Sequence, residues 1–396
     1  MSTTTMPSPT LSSSTLWLMA IACGLCAGAN YFCQPLIHSI QSHFSITAAE
    51  AQLTITFAQV SYALGLLFLV PLGDLAKKHL FIPGLMTCAA IGLLISGFAQ
   101  NIYMLWIGTI ITGLFTVAAQ VLIPLSTVIV APEKTGTVVG FLMTGLLVGI
   151  LLSTSLAGLL SHLYAWNAVY IVSAIILLMI AVLLKPRLPI LPTLKISYFN
   201  MFRSMGKLLI EEKRLVLRSA MGAITFASMS VLLATTSVLL AQPPFSLSDS
   251  VIGMIGLTGL FGALFAQYAG KLADRGYSKH LTLTGSAIVL LSWCILYFSQ
   301  WYLIAFIVGF ALVNLGMSTQ HTANLNIVYK LRADAKARIN SIYVTLYFIG
   351  AASGSALGTW AWNTNGWLLT CSIGFCLAAT SLILAMIDSI AFSKKA

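Results

Sequence analysis

Leu69-Val70-Pro71-Leu72-Gly73-Asp74-Leu75-Ala76-Lys77-Lys78-His79 ends a long apolar run with a glycine, an acid and a basic cluster. A related string recurs two hundred residues later: Gly270-Lys271-Leu272-Ala273-Asp274-Arg275-Gly276-Tyr277-Ser278-Lys279-His280. Each lies between two hydrophobic segments. Charges are expelled from hydrocarbon, so such strings are expected at the surface of a membrane, as short turns between spanning helices.

The composition supports that setting. Of 396 residues, 59% are hydrophobic and 7% charged; a soluble domain carries about 25% charged residues. With a mean hydropathy of +0.96, the chain cannot hide its apolar surface from water, and the bilayer must be its solvent. Runs of about 20 apolar residues, the length that crosses hydrocarbon as a helix, predict twelve spans. They fall near 16–40, 51–73, 80–99, 103–130, 137–160, 166–184, 215–241, 250–272, 281–299, 302–328, 339–360 and 366–391. Backbone groups in lipid must pair within their own segment, so runs of this length are helices rather than barrel strands.

The 20 Lys and Arg residues test this topology. They follow the second, fourth, sixth, eighth, tenth and last spans, with the densest group at 185–218, and the opposite loops hold none. By the positive-inside rule both termini are cytoplasmic. The net charge of +11 is therefore a topology signal, with a secondary role at anionic lipid head groups, and nucleic-acid binding is excluded. The order is a polar N-terminus (1–15), a six-helix bundle (16–184), a cytoplasmic linker (185–214), a second six-helix bundle (215–391) and a tail (392–396). The first fifteen residues lack Lys and Arg, unlike a cleaved signal, so the first span is expected to be retained. The tail carries no prenylation signal. All seven cysteines lie in apolar runs and read as packing residues without disulfides.

The halves echo each other: Asp74 answers Asp274, and Glu133 answers Asp334. Repeated bundles around a midplane site are common in secondary transporters. Here the sequence resembles the major facilitator superfamily, in particular its bacterial twelve-span drug:proton antiporter and sugar- or drug-efflux permease branch. Gly270 to Gly276 is similar to that superfamily's G-x-L-A-D-R-x-G loop, with Gly one place early; the first copy has Val70 for the leading Gly and Leu75 for the usual Arg. The permease subgroup shares Ala29 to Leu36, Tyr62 to Asp74, Ala119 to Pro124, Gly145 to Leu152 and Ser341 to Tyr343. The resemblance covers nearly the whole chain. It implies an all-α membrane fold of two pseudo-symmetric six-helix bundles that work by alternating access. Relatives often carry Arg in the fifth span and Asp in the tenth, where this chain has Thr154 and Asn314. That departure questions any coupling scheme built on the missing acid.

The resemblance also implies that the loop-motif acid caps a helix end and pairs with basic groups when the cytoplasmic side is closed. A carboxylate at a helix N-terminus is worth about 0.3–1 kcal/mol, enough to bias a two-state gate. Asp74, Lys78, Glu133, Asp274, Arg275, Asp334 and Arg338 are the gating candidates, against a reading as solvated loop charge.

None of the nine acids sits centrally in a predicted span. Apart from Tyr and Cys, His321 is the ionisable side chain well inside one. Asn314, Ser318 and His321 follow i, i+4, i+7 spacing on one helix face, continued by Asn324 with Gln320 nearby. His321 reads either as a proton-sensing group or as a neutral interhelical hydrogen bond. Asn30, Tyr31 and Gln34 precede Pro35, which is expected to kink the first span. With Gln59, Tyr62, Gln120, Asn314, Gln320, Asn324, Tyr343 and Tyr347, they are candidates for lining a substrate cavity or for packing between helices. Gly145, Gly149 and Gly158 with Ser153 and Ser155 form a small-residue face suited to close packing.

The leading reading is a monomeric, proton-linked efflux carrier for small, uncharged or amphiphilic organic molecules in the bacterial cytoplasmic membrane, with no cofactor or metal. The nearest alternative is an uncoupled facilitator or an importer of a sugar-like or nutrient metabolite. A membrane enzyme would need paired acids or a His/Asp metal cluster, a receptor an appended soluble domain, and a channel rings of charge or a carbonyl filter; the sequence offers none.

Overall fold

The computed structural model describes residues 12–130, 135–191, 197–332 and 335–392, and the regular elements among them are helical. Glu133 and Asp334 lie outside the described residues, and of Asp74 only the backbone is described.

Helix α1 (Ser13–Ala29) starts at Ser12, whose hydroxyl accepts from the Thr15 N–H at 3.3 Å. It stops at Asn30, and α2 (Cys33–Phe44) resumes bent by 47°. Pro35 sits in the first turn of α2, where its missing N–H costs no helical bond. The break therefore precedes the proline. Helix α3 (Ala48–Leu75) begins with a capping box: Thr47 N–H donates to the Glu50 carboxylate at 2.9 Å, and Glu50 N–H donates to the Thr47 hydroxyl at 3.3 Å. Then follow α4 (Lys78–Gly97), α5 (Ile102–Phe115), α6 (Ala118–Ile129), α7 (Thr135–Leu163) and α8 (Ala168–Leu184). An amphipathic helix, α9 (Tyr198–Glu211), occupies the linker.

The second half opens with α10 (Lys213–Ala241). Helix α11 (Asp249–Gly256) continues through a 3-10 turn into α12 (Leu260–Leu272). The motif residues Ala273–Tyr277 form a π-type turn, with Gly276 at φ +95°, a left-handed conformation that favours glycine. Helices α13 (Ser278–Leu296), α14 (Leu303–Leu331) and α15 (Lys336–Ala391) complete the chain; the 56 residues of α15 are broken at Asn365 and Gly366. Both quoted strings thus span a junction between two helices, the first turning at Ala76 and Lys77 between the end of α3 and the start of α4.

By length and composition, eight described helical stretches can cross a bilayer, or nine if α1 and α2 form one bent span. The twelve runs read from sequence count α8, the α11–α12 pair and the two arms of α15 separately. Val172, Ile175, Met179 and Val182 stand exposed along one side of α8, while Val169, Ala174, Leu177 and Ala181 are buried on the other. Such a stripe is stable where the solvent is lipid.

The buried apolar residues form two large clusters, one mostly within residues 19–188 and one within 205–378. Inside the first half α1 packs on α7, and α4 on α5 and α8; in the second, α10 runs along α15 and α13 along α14. The halves meet where α3 lies against α15, α7 against α11 and α2 against α10. Glycine permits the tightest of these contacts. A Cβ on Gly149 would lie 2.2 Å from Gly24 Cα, and one on Gly158 would lie 2.4 Å from the Asp249 carbonyl. The expected close-packing face therefore serves two partners, α1 within its own half and α11 across the seam.

Candidate functional site

On α14, His321 faces α15. The Tyr343 hydroxyl lies 3.2 Å from His321 Nδ1, and the Tyr347 ring centroid lies 4.6 Å from the imidazole. Tyr347 then meets Phe226 of α10 at 4.3 Å, Phe226 meets Phe348 at 5.2 Å, and Phe348 meets Tyr62 of α3 at 4.5 Å. Gln120 of α6 donates to the Tyr62 hydroxyl at 3.4 Å. These contacts carry an aromatic and amide line from α14 in the second half to α6 in the first. Half-buried Tyr31 also reaches the seam, packed against the second half's core. Offset aromatic contacts favour flat or amphiphilic guests, and the amides and phenols supply neutral donors and acceptors.

Hydrogen bonds between the halves gather toward one end. Gln52 donates to the Ala234 carbonyl at 2.8 Å, Gln59 to the Ser230 hydroxyl at 3.2 Å, and Thr56 and Ser355 share a hydroxyl contact at 2.9 Å. Ser155 of α7 donates to the Gly253 carbonyl at 3.0 Å, and the Ser237 hydroxyl donates to the Gln34 carbonyl. The end that carries Lys77, Lys271 and Lys330 is bridged instead by α9: Tyr198 donates to the Phe68 carbonyl at 2.7 Å, and Arg338 donates to the Ser204 hydroxyl.

Other sequence candidates lie within one half. Asn30 donates to Thr116 at 3.0 Å, and its carbonyl oxygen has no partner among the described residues. That oxygen and the hydroxyls of Ser96, Thr109 and Tyr170, equally unpartnered, line one small cavity of about 10 Å³, room for a single water. Gln320 is buried against Ser286 and Ser381, at 2.6 and 2.8 Å, away from the seam. Asn314 donates to the Phe310 carbonyl at 2.9 Å, so its amide caps its own helix turn. Asp274 accepts from Asn326 at 2.8 Å, tying the motif turn to α14, while Arg275 is exposed and Lys78 opens α4. Among the described residues no group of three or more His, Cys, Asp or Glu is gathered as a metal site.

Three features were missed. Phe226 and Phe348 complete the aromatic line, yet in sequence they are indistinguishable from lipid-facing residues. Arg218 and Asp388 form a buried ion pair, with Arg214 on the same carboxylate; Arg218 inside a predicted span was the available signal. Asp249 is buried at the seam, where sequence placed a loop end.

Residues 17–355 match the family model described as Major Facilitator Superfamily. The chain is 40% identical over 380 residues to the uncharacterized transporter YgaY of Escherichia coli O157:H7, covering 96% of each. Among solved structures it is similar to the nucleoside transporter NupG, at 13% identity and TM-score 0.73, covering 96% of this chain and 100% of that one. It is also similar to the peptide transporter POT in complex with alafosfalin, at 11% identity and TM-score 0.74, covering 96% and 94%.

Proposed function

The chain belongs to the Major Facilitator Superfamily and is a membrane transporter rather than an enzyme; from that premise we propose that it exports small organic molecules across the bacterial cytoplasmic membrane by alternating access, in exchange for protons. The two six-helix halves, 16–184 and 215–391, rock about their seam, with both termini cytoplasmic. The observation that carries the reading is the line from His321 through Tyr347, Phe226 and Phe348 to Tyr62 and Gln120. It crosses the seam, and a rocking motion separates its two ends. A guest bound there touches both halves, which couples its binding to their relative position. The line carries no formal charge with His321 neutral, so an uncharged or amphiphilic substrate suits it.

His321 is the proposed proton-exchanging group, since it is the imidazole on that line and its Tyr343 partner is neutral at physiological pH. The inter-half bonds near Gln52, Gln34 and Ser155 close the face away from the basic loops, which corresponds to a carrier sealed on the outside. Counterflow of a metabolite and drug panel in reconstituted vesicles, with and without a pH gradient, tests the scheme. Gradient-driven transport that is lost in His321→Gln is expected; an unchanged response in that variant sinks the proton role. The neutral Thr154 and Asn314 favour the second reading, an uncoupled facilitator or importer, for which counterflow is insensitive to the gradient.

A further inference from the structure

Asp249 is a carboxylate at the seam, 8% exposed, on the second half's α11. Its Oδ2 accepts from two hydroxyls of the first half: Ser39 on α2, and Ser161 on α7 at 3.2 Å. One acid thus joins three helices from both halves, on the face opposite the basic loops. The surrounding contacts are backbone to backbone. A Cβ on Gly158 would lie 2.4 Å from the Asp249 carbonyl, and one on Gly253 would lie 2.5 Å from the Thr154 carbonyl. α7 and α11 cannot separate without uncovering this side chain.

We propose that Asp249 is a proton-binding site on the outer face, and that its protonation is linked to closure of the two halves there. The inference rests on the alternating-access reading above. When the halves are closed, the acid is out of water. When they part, Ser39 and Ser161 leave with the first half and the carboxylate meets solvent. Burial penalises the charged form. Two hydroxyl donors are a modest replacement for a hydration shell, and no Lys or Arg side chain pairs with Asp249 among the described residues.

The groups that face it are few. On α2, His38 is close enough to favour the charged form, whereas the His43 ring lies tilted against Trp166 at 5.3 Å. On α7, His162 is exposed beside Ser161. The outer end of α10, residues 234–241, has no titratable side chain, and α11 has no other. Asp249 directly precedes the eighth predicted span. Burial holds its carboxyl above the usual carboxylate range, partly offset by the two serine bonds and by His38. The closed state therefore has the higher proton affinity, so a proton is taken up on closure. Falling outer pH favours the closed face, and rising pH favours the open one. Each unit separating the two affinities is a tenfold change in the closed-to-open ratio.

Spin labels on keto side chains introduced at Tyr164 of the first half and Gln242 of the second leave the seven cysteines untouched and report the outer opening. In lipid nanodiscs the short-distance population of the full chain is expected to grow as pH falls from 8 to 5. Asp249→Asn, which mimics the protonated acid, holds the short distance at every pH. Ser39→Ala with Ser161→Ala removes bonds that only the closed, charged state makes, so the closed-to-open ratio falls most at high pH and depends more steeply on pH. That steeper dependence also tests the assignment if Asp249→Asn fails to fold. A wild-type ratio of two distances that ignores pH, or a pH response in a His321→Gln background that survives Asp249→Asn, overturns the Asp249 site and leaves alternating access standing. One unchanging distance in all variants, with and without the substrate panel, overturns alternating access itself.

Discussion

Arg218 and Asp388 meet inside the second half with both side chains 1% exposed. Arg218 also donates to Thr282 at 2.8 Å and to Asn324 at 2.9 Å, and Arg214 reaches the two Asp388 oxygens at 3.1 Å each. The network ties α10, α13 and α14 to the last arm of α15. Removing one partner of a buried pair strands the other charge and costs about 3–5 kcal/mol. Asp388→Asn leaves two guanidiniums facing each other, and Arg214, 26% exposed, can turn toward solvent only in part. Asp388→Asn is therefore expected to lower the melting temperature in detergent far more than Arg214→Gln. The double change Arg218→Met with Asp388→Leu is expected to cost less than Asp388→Asn alone. Equal melting temperatures for Asp388→Asn and wild type would contradict the assignment.

A surface pair gives the opposite expectation. Lys207 and Glu211 on α9 lie 3.5 Å apart at i, i+4, with side chains 74% and 43% exposed. Such pairs contribute about 0.3–0.5 kcal/mol and are screened by salt. Lys207→Gln should leave the melting curve within error of wild type in 0.5 M salt. A large loss there would mean that Lys207 has a role beyond this pair.

Much of the architecture was legible because hydrocarbon imposes simple rules. The 69–79 and 270–280 strings had to hold turns, since their charges cannot cross lipid, and the turns lie at Ala76–Lys77 and Ala273–Tyr277. The pairing of distant side chains was not legible. Arg218 reads as the last member of a basic cluster, and Asp388 as the frayed end of the final helix; only the fold brings together residues 170 apart. His321 with Tyr343 and Tyr347 was partly legible, because polar groups stand out in an apolar run. Phe226 and Phe348 do not, so the bridge between the halves stayed hidden. Gln320 shows the reverse: it stood out as polar, yet its partners Ser286 and Ser381 face away from the seam.

The aromatic line predicts graded effects on transport. Tyr347→Ala and Tyr62→Ala each remove a ring that contacts two elements of the line, and an aromatic contact is worth about 0.5–1.5 kcal/mol beyond its area. Each should lower uptake of a flat or amphiphilic substrate by roughly tenfold, the equivalent of 1.4 kcal/mol. Tyr62→Phe keeps the ring and loses only the 3.4 Å bond from Gln120, so it should stay within about threefold. If Tyr62→Phe is as damaging as Tyr62→Ala, the hydroxyl rather than the ring is what matters.

Glycine at the α1–α7 crossing admits a sharp comparison. A Cβ on Gly149 would sit 2.2 Å from Gly24 Cα and 2.3 Å from the Gly24 carbonyl oxygen, whereas one on Gly140 of the same helix meets nothing within 4 Å among the described residues. Gly149→Ala forces two backbones apart and should reduce the yield of folded protein. Gly140→Ala should fold as wild type. Matching yields for both would show that α1 can yield at this crossing without loss.

Gly158 tests the seam rather than the fold of one half. Its Cβ would lie 2.4 Å from the Asp249 carbonyl oxygen and 2.9 Å from Ser250 Cα, and both are backbone atoms that cannot swing aside as a side-chain tip could. The strain is relieved if α11 withdraws from α7, because α7 keeps its separate packing on α1 through Gly145 and Gly149. Gly158→Ala should therefore leave each half folded but weaken closure on the face away from the basic loops. With labels at Tyr164 and Gln242, the expected outcome is a longer distance at a pH where wild type is closed, with little change in the melting curve. A distance unchanged from wild type, together with a lowered melting temperature, would show that α7 and α11 move as one rigid unit and that this contact does not gate.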